Sequence, residues 1–260
     1  MAQNEKMHYY GDYHTHTHYS DGVSTVQQNI DEAVAKGLKE LAFTDHGFNN
    51  PQYGALSRQS FRAQREEIQK YAQGREIKIY HGIEADIIGL DGTIDLNESE
   101  LGDMGILLVG YHSFAKAKSF YDWRKIYINS YLSFAIKPPR SVIERNTKAL
   151  INAVKKYPID ILAHINHLLK VDCYELSKAC ADYGTYIELN AKHMKSPEDL
   201  EQILKSGAKV VANSDAHHYS KIGVFSVVEE ALKIQGAELS TLENYAKAPE
   251  FPRRKLRLKE

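Results

Sequence analysis

Cysteine is nearly absent from this chain: Cys173 and Cys180 are the only two in 260 residues. They lie seven apart in a segment of helical pattern, which fits neither a disulfide framework nor a C-x-x-C redox or zinc motif. Excess charge of either sign is missing too, since 33 Lys and Arg face 34 Asp and Glu for a formal net charge of −1. No overall field therefore draws the chain to nucleic acid or to an acidic membrane, and any such attraction has to be local. No apolar run approaches transmembrane length and the start carries no secretory signal, so a cytoplasmic protein without membrane attachment is expected. With 43% hydrophobic and 26% charged residues the composition is that of a soluble globular protein. The length permits one large domain or two small ones.

Histidine is what the chain has in unusual number: twelve, several of them directly after hydrophobic, strand-like runs. The densest stretch is Gly11-Asp12-Tyr13-His14-Thr15-His16-Thr17-His18-Tyr19-Ser20-Asp21-Gly22, behind an apolar run, Met7 to Tyr10, that reads as a strand. Side chains alternate along a strand, so His14 and His16 share a face with Cα atoms roughly 6.5–7 Å apart. Two imidazoles so placed can hold one metal ion, and Asp21 can swing back from the following turn. The segment alone also fits a His-rich exposed strand; the rest of the chain decides between the two.

Seven short β-like runs alternate with helical segments. After the first run, Ser24-Thr25-Val26-Gln27 reads as a capping box opening a helix to about Lys36, with Gly37 as its stop. Glu40 to Thr44 is strand two, delivering Asp45 and His46, and a helix from about Phe61 to Ala72 follows. Strand three, Lys78 to Ile83, delivers Glu84, and Asp91-Gly92 marks a hairpin turn. Strand four, Ile106 to Gly110, delivers His112; Ser141-Val142-Ile143-Glu144 then reads as a second capping box, for a helix to about Lys155. Strand five, Ile159 to Ala163, delivers His164, and a helix from about Cys173 to Tyr183 leads to strand six, Tyr186 to Leu189, which delivers Asn190. Ser196-Pro197 supplies a cap and a first-turn proline for the next helix. Strand seven, Lys209 to Ala212, delivers Ser214, Asp215 and His217, and a last helix covers about Val227 to Ile234.

Such alternation argues for parallel strands with helices outside. In an open sheet the functional residues gather at one switch point, whereas here nearly every strand ends in a metal-competent residue. In a (β/α) barrel all those ends meet on one rim, so one barrel-like domain over 1–260 is expected.

The strand-end residues are His14, His16, Asp21, His46, Glu84, His112, His164, Asp215 and His217: six histidines and three carboxylates. Converging on one rim they would be poorly satisfied and mutually repelling unless cations sat between them. Nine ligands exceed one tetrahedral ion and suit two or three, with Glu84 as a bridge. Mixed imidazole and carboxylate ligation favours Zn, Mn or Fe over Mg or Ca.

These residues carry a resemblance. The chain resembles the PHP (polymerase and histidinol phosphatase) family in His14-Thr-His16 with Ser20-Asp21-Gly22, in Thr44-Asp45-His46-Gly47 and in Gly82-Ile83-Glu84-Ala85. It does so again in Gly110-Tyr111-His112, Ala163-His164 and Asn213-Ser214-Asp215-Ala216-His217, in family order from about residue 8 to 235. The resemblance implies a distorted seven-stranded (β/α) barrel with up to three metals at the C-terminal ends of the strands. It also implies phosphoester hydrolysis by a metal-activated water, and it places all nine residues above at family ligand positions, Asp21 filling a slot that is His in some members. Glu84, Asp215 and His217 are the candidate catalytic residues, the last two for assisting the leaving group. Asp12 and Asp45 flank ligand histidines as candidate acceptors that orient imidazoles, Asp45 alternatively as a cap of the chain turn. Relatives often continue the fifth-strand His with Pro-Gly or Pro-Thr-Gly-Arg, where this chain has His164-Ile165-Asn166-His167. That departure, and the absence of a polymerase module, point away from the polymerase-associated type. His18, His167, His193 and His218 have no ligand role in the resemblance.

Between His112 and Ser141 the chain is basic and aromatic, an insertion at about 113–140. Phe120, Trp123, Tyr127, Tyr131 and Phe134 fall at roughly helical spacing, which predicts an amphipathic helix with its aromatics on the barrel. The functional reading is a lid in which Arg124, Lys137 or Arg140 grips phosphate and an aromatic stacks on a flat ring of the substrate. Lys192, after Asn190, is a further candidate for meeting a phosphate. The tail at about 249–260, with Arg253-Arg254-Lys255, is basic, the pattern of a solvated end. The expected function is a metal-dependent phosphomonoesterase acting on a small phosphorylated substrate, histidinol-phosphate-like or nucleotide-like. The alternatives are a phosphodiesterase or 3′-exonuclease on single-stranded nucleic acid, and a non-catalytic metal-binding protein.

Overall fold

The computed structural model describes residues 9–50, 54–113, 115–132, 136–194 and 196–253. Seven parallel strands lie side by side in chain order: β1 (Gly11–Asp12), β2 (Glu40–Phe43), β3 (Lys78–Asp86), β4 (Ile106–Gly110), β5 (Ile161–Leu162), β6 (Tyr186–Asn190) and β7 (Val210–Asn213). Around them run α1 (Val26–Ala35), α2 (Arg58–Ala72), α3 (Glu98–Leu101), α4 (Phe120–Asp122), α5 (Asn129–Leu132), α6 (Arg140–Lys156), α7 (Cys173–Tyr183), α8 (Pro197–Lys205) and α9 (Ser226–Ile234). The expected (β/α) barrel is the fold.

The first and last strands close the barrel at its C-terminal rim. Thr15 forms a parallel bridge with Ala216, and the His16 amide donates to the Ala216 carbonyl at 2.8 Å. Lower down, where β1 and β7 separate, the Asn244 side chain fills the gap in place of a strand. Its amide nitrogen donates to the Gly11 carbonyl at 2.9 Å and to the Ala212 carbonyl at 2.7 Å, and its oxygen accepts from the Ala212 amide at 3.0 Å. Backbone groups on a buried strand edge are thus satisfied by one side chain.

Two apolar layers result. Between strands and helices lie residues such as Ile30, Leu41, Phe43, Leu107, Leu176 and Leu232. Inside the barrel, Tyr13, Tyr80 and Tyr186 surround Phe251, whose ring stands edge-on to all three with centroids 5.1, 6.0 and 5.5 Å away. This aromatic plug fills the bottom and leaves the polar strand ends at the top as the open face.

Several local expectations need correction. The first strand is Gly11–Asp12 rather than Met7 to Tyr10: Tyr9 makes only an isolated antiparallel bridge to Tyr245, and Met7 lies outside the described residues. The ladder to β2 sets the register there, not the apolar run. The cap of α1 is Thr25 with Gln28, because the Ser24 hydroxyl is engaged by the Tyr219 amide at 2.7 Å. Nor is there a Ser141–Glu144 capping box: α6 begins at Arg140 behind Pro139, and Glu144 instead pairs with Arg140 Nε at 2.7 Å. The Asp91-Gly92 turn, the Ser196 cap with Pro197 and the extent of α7 are as expected. Gly92 sits at φ +84, a conformation that favours glycine.

The insertion departs from the single helix that its spacing suggests. Between α4 and α5 the stretch Trp123–Ile128 is a π-helical turn. A wider turn rotates the residues after it relative to a 3.6-residue period. Ile126 and Tyr127 accordingly pack inward, while Phe120, Trp123 and Tyr131 face outward. Phe134 lies outside the described residues. Of the tail, residues 249–253 are described; Arg253 is the basic residue among them, and its guanidinium donates to the Val154 and Tyr157 carbonyls at the end of α6, at 3.0 and 2.7 Å.

Candidate metal centre

The strand ends bring all nine expected ligands together around Glu84, which is fully buried at the exit of β3. Its Oε2 faces His14 Nε2 at 3.2 Å, His46 Nδ1 at 3.3 Å and His16 Nε2 at 3.6 Å. Its Oε1 faces His164 Nε2 at 2.7 Å and His112 Nε2 at 3.5 Å. Five imidazoles therefore surround one carboxylate. Two further carboxylates close the ring. Asp215 Oδ1 lies 3.4 Å from both His16 Nε2 and His217 Nδ1. Asp21 Oδ1 lies 3.5 Å from His46 Nε2, and its Oδ2 lies 3.1 Å from His217 Nε2.

Glycine and strained backbone make room for this crowding. A Cβ on Gly110 would stand 2.9 Å from Glu84 Oε1 and 2.8 Å from His164 Cε1. His164 and Asp215 have positive φ, 28 and 52, a cost that clusters where function over-determines the backbone.

Three sets of ligand atoms lie within 4.8 Å of one another: His16, Asp21, His46 and His217; His14, His16 and Glu84; and His46, Glu84 and His112. The sets share His16, His46 and Glu84, so they form one connected centre. Asp215 and His164 belong to none of the three but border them through the contacts above. The donor chemistry fits metal ions. His14 Nε2 and His16 Nε2 stand 3.1 Å apart, and the buried atoms Glu84 Oε2 and His16 Nδ1 have no hydrogen-bond partner. Such atoms are costly to bury unless something cationic lies between them.

The outer nitrogens are anchored so that the inner ones point at that space. His14 Nδ1 lies 2.7 Å from Glu188 Oε1, His112 Nδ1 2.9 Å from Asp86 Oδ1, and His217 Nδ1 2.9 Å from the Asp215 carbonyl. An ionised carboxylate and a carbonyl only accept, so the Nδ1 of each ring donates to its outer partner and the Nε2 is the nitrogen aimed inward, where a metal ion would take the place of a proton. Glu188 and Asp86 are orienters that the strand-end pattern does not mark. Glu188 lies within β6 with Asn190 two residues on, and Asp86 ends β3 two residues after Glu84; an acid within a buried strand on the ligand face is the signal for both. Asp12 and Asp45, the expected orienters, touch no imidazole. Asp12 accepts from the amides of His14, Ser214 and Gly223, and Asp45 accepts from Thr17, Ser20 and Gln64, so both brace the chain that carries the ligands.

The electrostatics are those of a charged, water-poor centre. Burial would raise the Glu84 carboxyl, but His112, His14 and His164 outweigh it and hold it well below the usual range. Burial likewise opposes ionisation of Asp215, and His14 and His16 hold it well below. His16 is pushed down to about 3, chiefly by burial and then by its imidazole neighbours against the pull of Asp215. It stays neutral and so able to donate a lone pair.

The mouth of the centre is lined by Asp21, His46, His112, His164, Asp215 and His217 together with His167, Leu168, Lys192 and His193. Lys192 Nζ lies 3.2 Å from His217 Nδ1 and 3.7 Å from Asp215 Oδ1. His193 Nε2 lies 3.3 Å from Asp215 Oδ2, and its ring stacks on His167 at 4.0 Å. Arg124, Lys137 and Arg140 do not line this mouth; all are exposed, and Arg140 pairs with Glu144. His18 and His218 bond locally, to the Ser24 carbonyl and to Ser220.

A centre of this donor set at the C-terminal rim of a seven-stranded barrel is that of a metal-dependent hydrolase. The PHP domain family model matches residues 12–214, and the chain belongs to that family. It is 32% identical over 234 residues to a probable phosphatase of Thermoanaerobacter sp., covering 86% of this chain and 84% of that protein. It is 26% identical over 219 residues to the DNA polymerase/3′-5′ exonuclease PolX of Bacillus subtilis, covering 80% of this chain but 34% of that one. Among solved structures, histidinol phosphate phosphatase from Lactococcus lactis, complexed with Zn, L-histidinol and phosphate, superposes with a TM-score of 0.60. That match has 18% identity and covers 88% of this chain and 95% of the other. Among the described residues no helix is long and apolar enough to cross a membrane.

Proposed function

We propose that this chain is a metal-dependent phosphomonoesterase acting on a small phosphorylated metabolite, with a substrate that is histidinol-phosphate-like or nucleotide-like. The observation that carries the reading is Glu84 encircled by five imidazoles at the open end of the barrel, with Asp21 and Asp215 completing the ring. His14, His16, Asp21, His46, Glu84, His112, His164, Asp215 and His217 are the residues that would hold two or three divalent ions, Zn, Mn or Fe, with Glu84 common to two of the candidate donor sets. When bound, such ions activate water near neutral pH and neutralise phosphoryl oxygens.

The chain's own residues do the positioning. Glu188 and Asp86 fix the ligand imidazoles, so the centre needs little rearrangement on binding substrate. Lys192, at the mouth beside Asp215 and His217, offers a cation to a phosphoryl oxygen. Asp215 and His217 flank that lysine, where either is placed to help move a proton at the bound phosphate.

Phosphate release by Zn- or Mn-loaded protein tests the reading. The panel holds histidinol phosphate, nucleoside monophosphates, sugar phosphates and a 3′-labelled oligonucleotide. Release from a monoester with the oligonucleotide intact is the expected result. Stepwise shortening of the oligonucleotide would instead establish the nuclease reading, which the likeness to the Bacillus exonuclease keeps in view. Metal-loaded protein inert towards every substrate would overturn both.

A further inference from the structure

An aromatic trough is lined by the loops that also carry His46 and His112, and the mechanism above does not use it. It has a volume of about 1410 Å³ and is lined by Phe48, Tyr111, Phe120, Trp123, Tyr127 and Tyr131 among others. Two of its three sides are the loops after β2 and β4. Phe48 follows the ligand His46 by two residues and Tyr111 directly precedes the ligand His112. The His46 and His112 rings are themselves 4.6 Å apart, so both sides of the trough spring from the same edge of the centre. The third side is the insertion. Phe120 and Tyr131 are each 77% exposed and Trp123 is 45% exposed, large apolar groups that a soluble protein does not leave out without use. The Phe120 and Trp123 rings lie at an interplanar angle of 25° with centroids 5.6 Å apart, a stacked platform.

We propose that this trough binds the leaving group of the substrate, and that the leaving group carries an extended aromatic system. The inference rests on the phosphomonoesterase reading and narrows it. The phosphate sits at the metal centre while the organic part passes over the His46–His112 edge onto the Phe120–Trp123 platform. Water adds to phosphorus, the P–O bond to the organic group breaks, and the leaving oxygen takes up one proton, so that the neutral alcohol and inorganic phosphate are released. The volume exceeds the roughly 300–1,000 Å³ common for small-ligand pockets, so one small ring does not fill it. A second copy of this chain accounts less well for the trough, because its sides spring from ligand-bearing loops rather than from a face remote from the site.

Trp123 is the chain's sole tryptophan, so its emission reports on the trough alone. Zn-loaded protein is titrated with biphenylylmethylphosphonate and, in parallel, with methylphosphonate, which keeps the phosphonate and drops the rings. A saturable change in emission with the first and none with the second is expected. In turnover, Phe120→Ala and Tyr131→Ala are expected to lower selectivity for biphenylylmethyl phosphate over glycerol phosphate at least tenfold. Unchanged emission with both probes, in protein that hydrolyses glycerol phosphate, would overturn the proposal. So would a doubling of molecular mass that Tyr131→Ala reverses, since a second copy would then cover the trough. Failure of the phosphatase reading looks different: no monoester is turned over, yet the biphenylyl probe still shifts Trp123 and supports an aromatic-binding trough.

Discussion

Glu188 Oε1 receives the Nδ1 hydrogen of His14 across 2.7 Å, and neither side chain has any exposure to solvent. Glu188 also accepts from the His164 amide at 2.8 Å, from Asn190 Nδ2 at 2.8 Å and from Asn213 Nδ2 at 3.0 Å. Burial would raise its carboxyl, but the His14 imidazole and the bond it makes hold it below the usual range. A single carboxylate thus fixes the orientation of one ligand histidine and the backbone of another.

Replacing Glu188 by Gln keeps the size and removes the charge. An amide accepts the His14 hydrogen more weakly and turns one donor against the amides that Glu188 now satisfies. Metal affinity, measured by competition with a chelator of known strength, is expected to fall by about 10- to 100-fold, as loss of an outer-shell partner typically does. Parent-like affinity would show that the ligand set is rigid without this contact.

Glu84 has a different role, because it faces five imidazoles at once. Glu84→Gln leaves the space filled and takes away the negative charge at the middle of the five imidazoles. The variant is expected to retain fewer ions per chain by elemental analysis and to lose turnover. Stripping the metals from the parent with a chelator should lower its Tm, since ions that bind only the folded site stabilise it. A variant that keeps both its ions and its activity would refute the bridging role.

The barrel, and the convergence of its histidines and acids on one rim, are legible through local signals. Short apolar runs alternating with amphipathic segments mark the strands and helices, and a histidine or acid at or just after nearly every strand makes little sense as packing alone. What is not legible depends on partners far along the chain. Ser24 and Thr25 are equivalent as caps until Tyr219 takes the Ser24 hydroxyl. Asp12 and Asp45 lie next to ligands in sequence but turn to backbone and hydroxyl donors, whereas Glu188, distant in sequence, reaches His14. The insertion misleads for a local reason: helical spacing of aromatics presumes 3.6 residues per turn, and the π-helical turn at Trp123–Ile128 changes which of them face out.

Lys192 offers a separation of binding from metal retention. Its Nζ is 3.2 Å from His217 Nδ1, yet the side chain is 43% exposed and its ammonium points into the mouth. Lys192→Ala is expected to leave the metal content unchanged and to raise KM for a monoester about tenfold, the loss of roughly 1.4 kcal/mol of phosphate attraction. Lys192→Arg should recover part of that loss. Loss of metal from the alanine variant would assign Lys192 to the stability of the centre instead.

The last expectation concerns stability against acid, away from the ligands. His81 stacks on Phe61 with centroids 4.0 Å apart, Arg65 Nε donates towards its Nδ1 at 3.4 Å, and its Nε2 lies 3.0 Å from Gln64 Oε1. A second proton would have to sit on Nδ1, against the Arg65 guanidinium. Burial first and Arg65 second push its pKa down to about 3, from 6.5. Between those values the unfolded chain binds a proton that the folded one refuses, so stability falls as pH drops through the window, by at most about 1.4 kcal/mol per pH unit. His81→Phe preserves the stack and removes the titrating group, at a constant cost for the lost contact with Gln64. Urea midpoints of parent and variant, both metal-stripped, should therefore differ in slope: moving from pH 7.5 to pH 5 destabilises the parent more than the variant. Parallel profiles would mean that His81 takes up its proton in the folded protein as readily as in the unfolded chain.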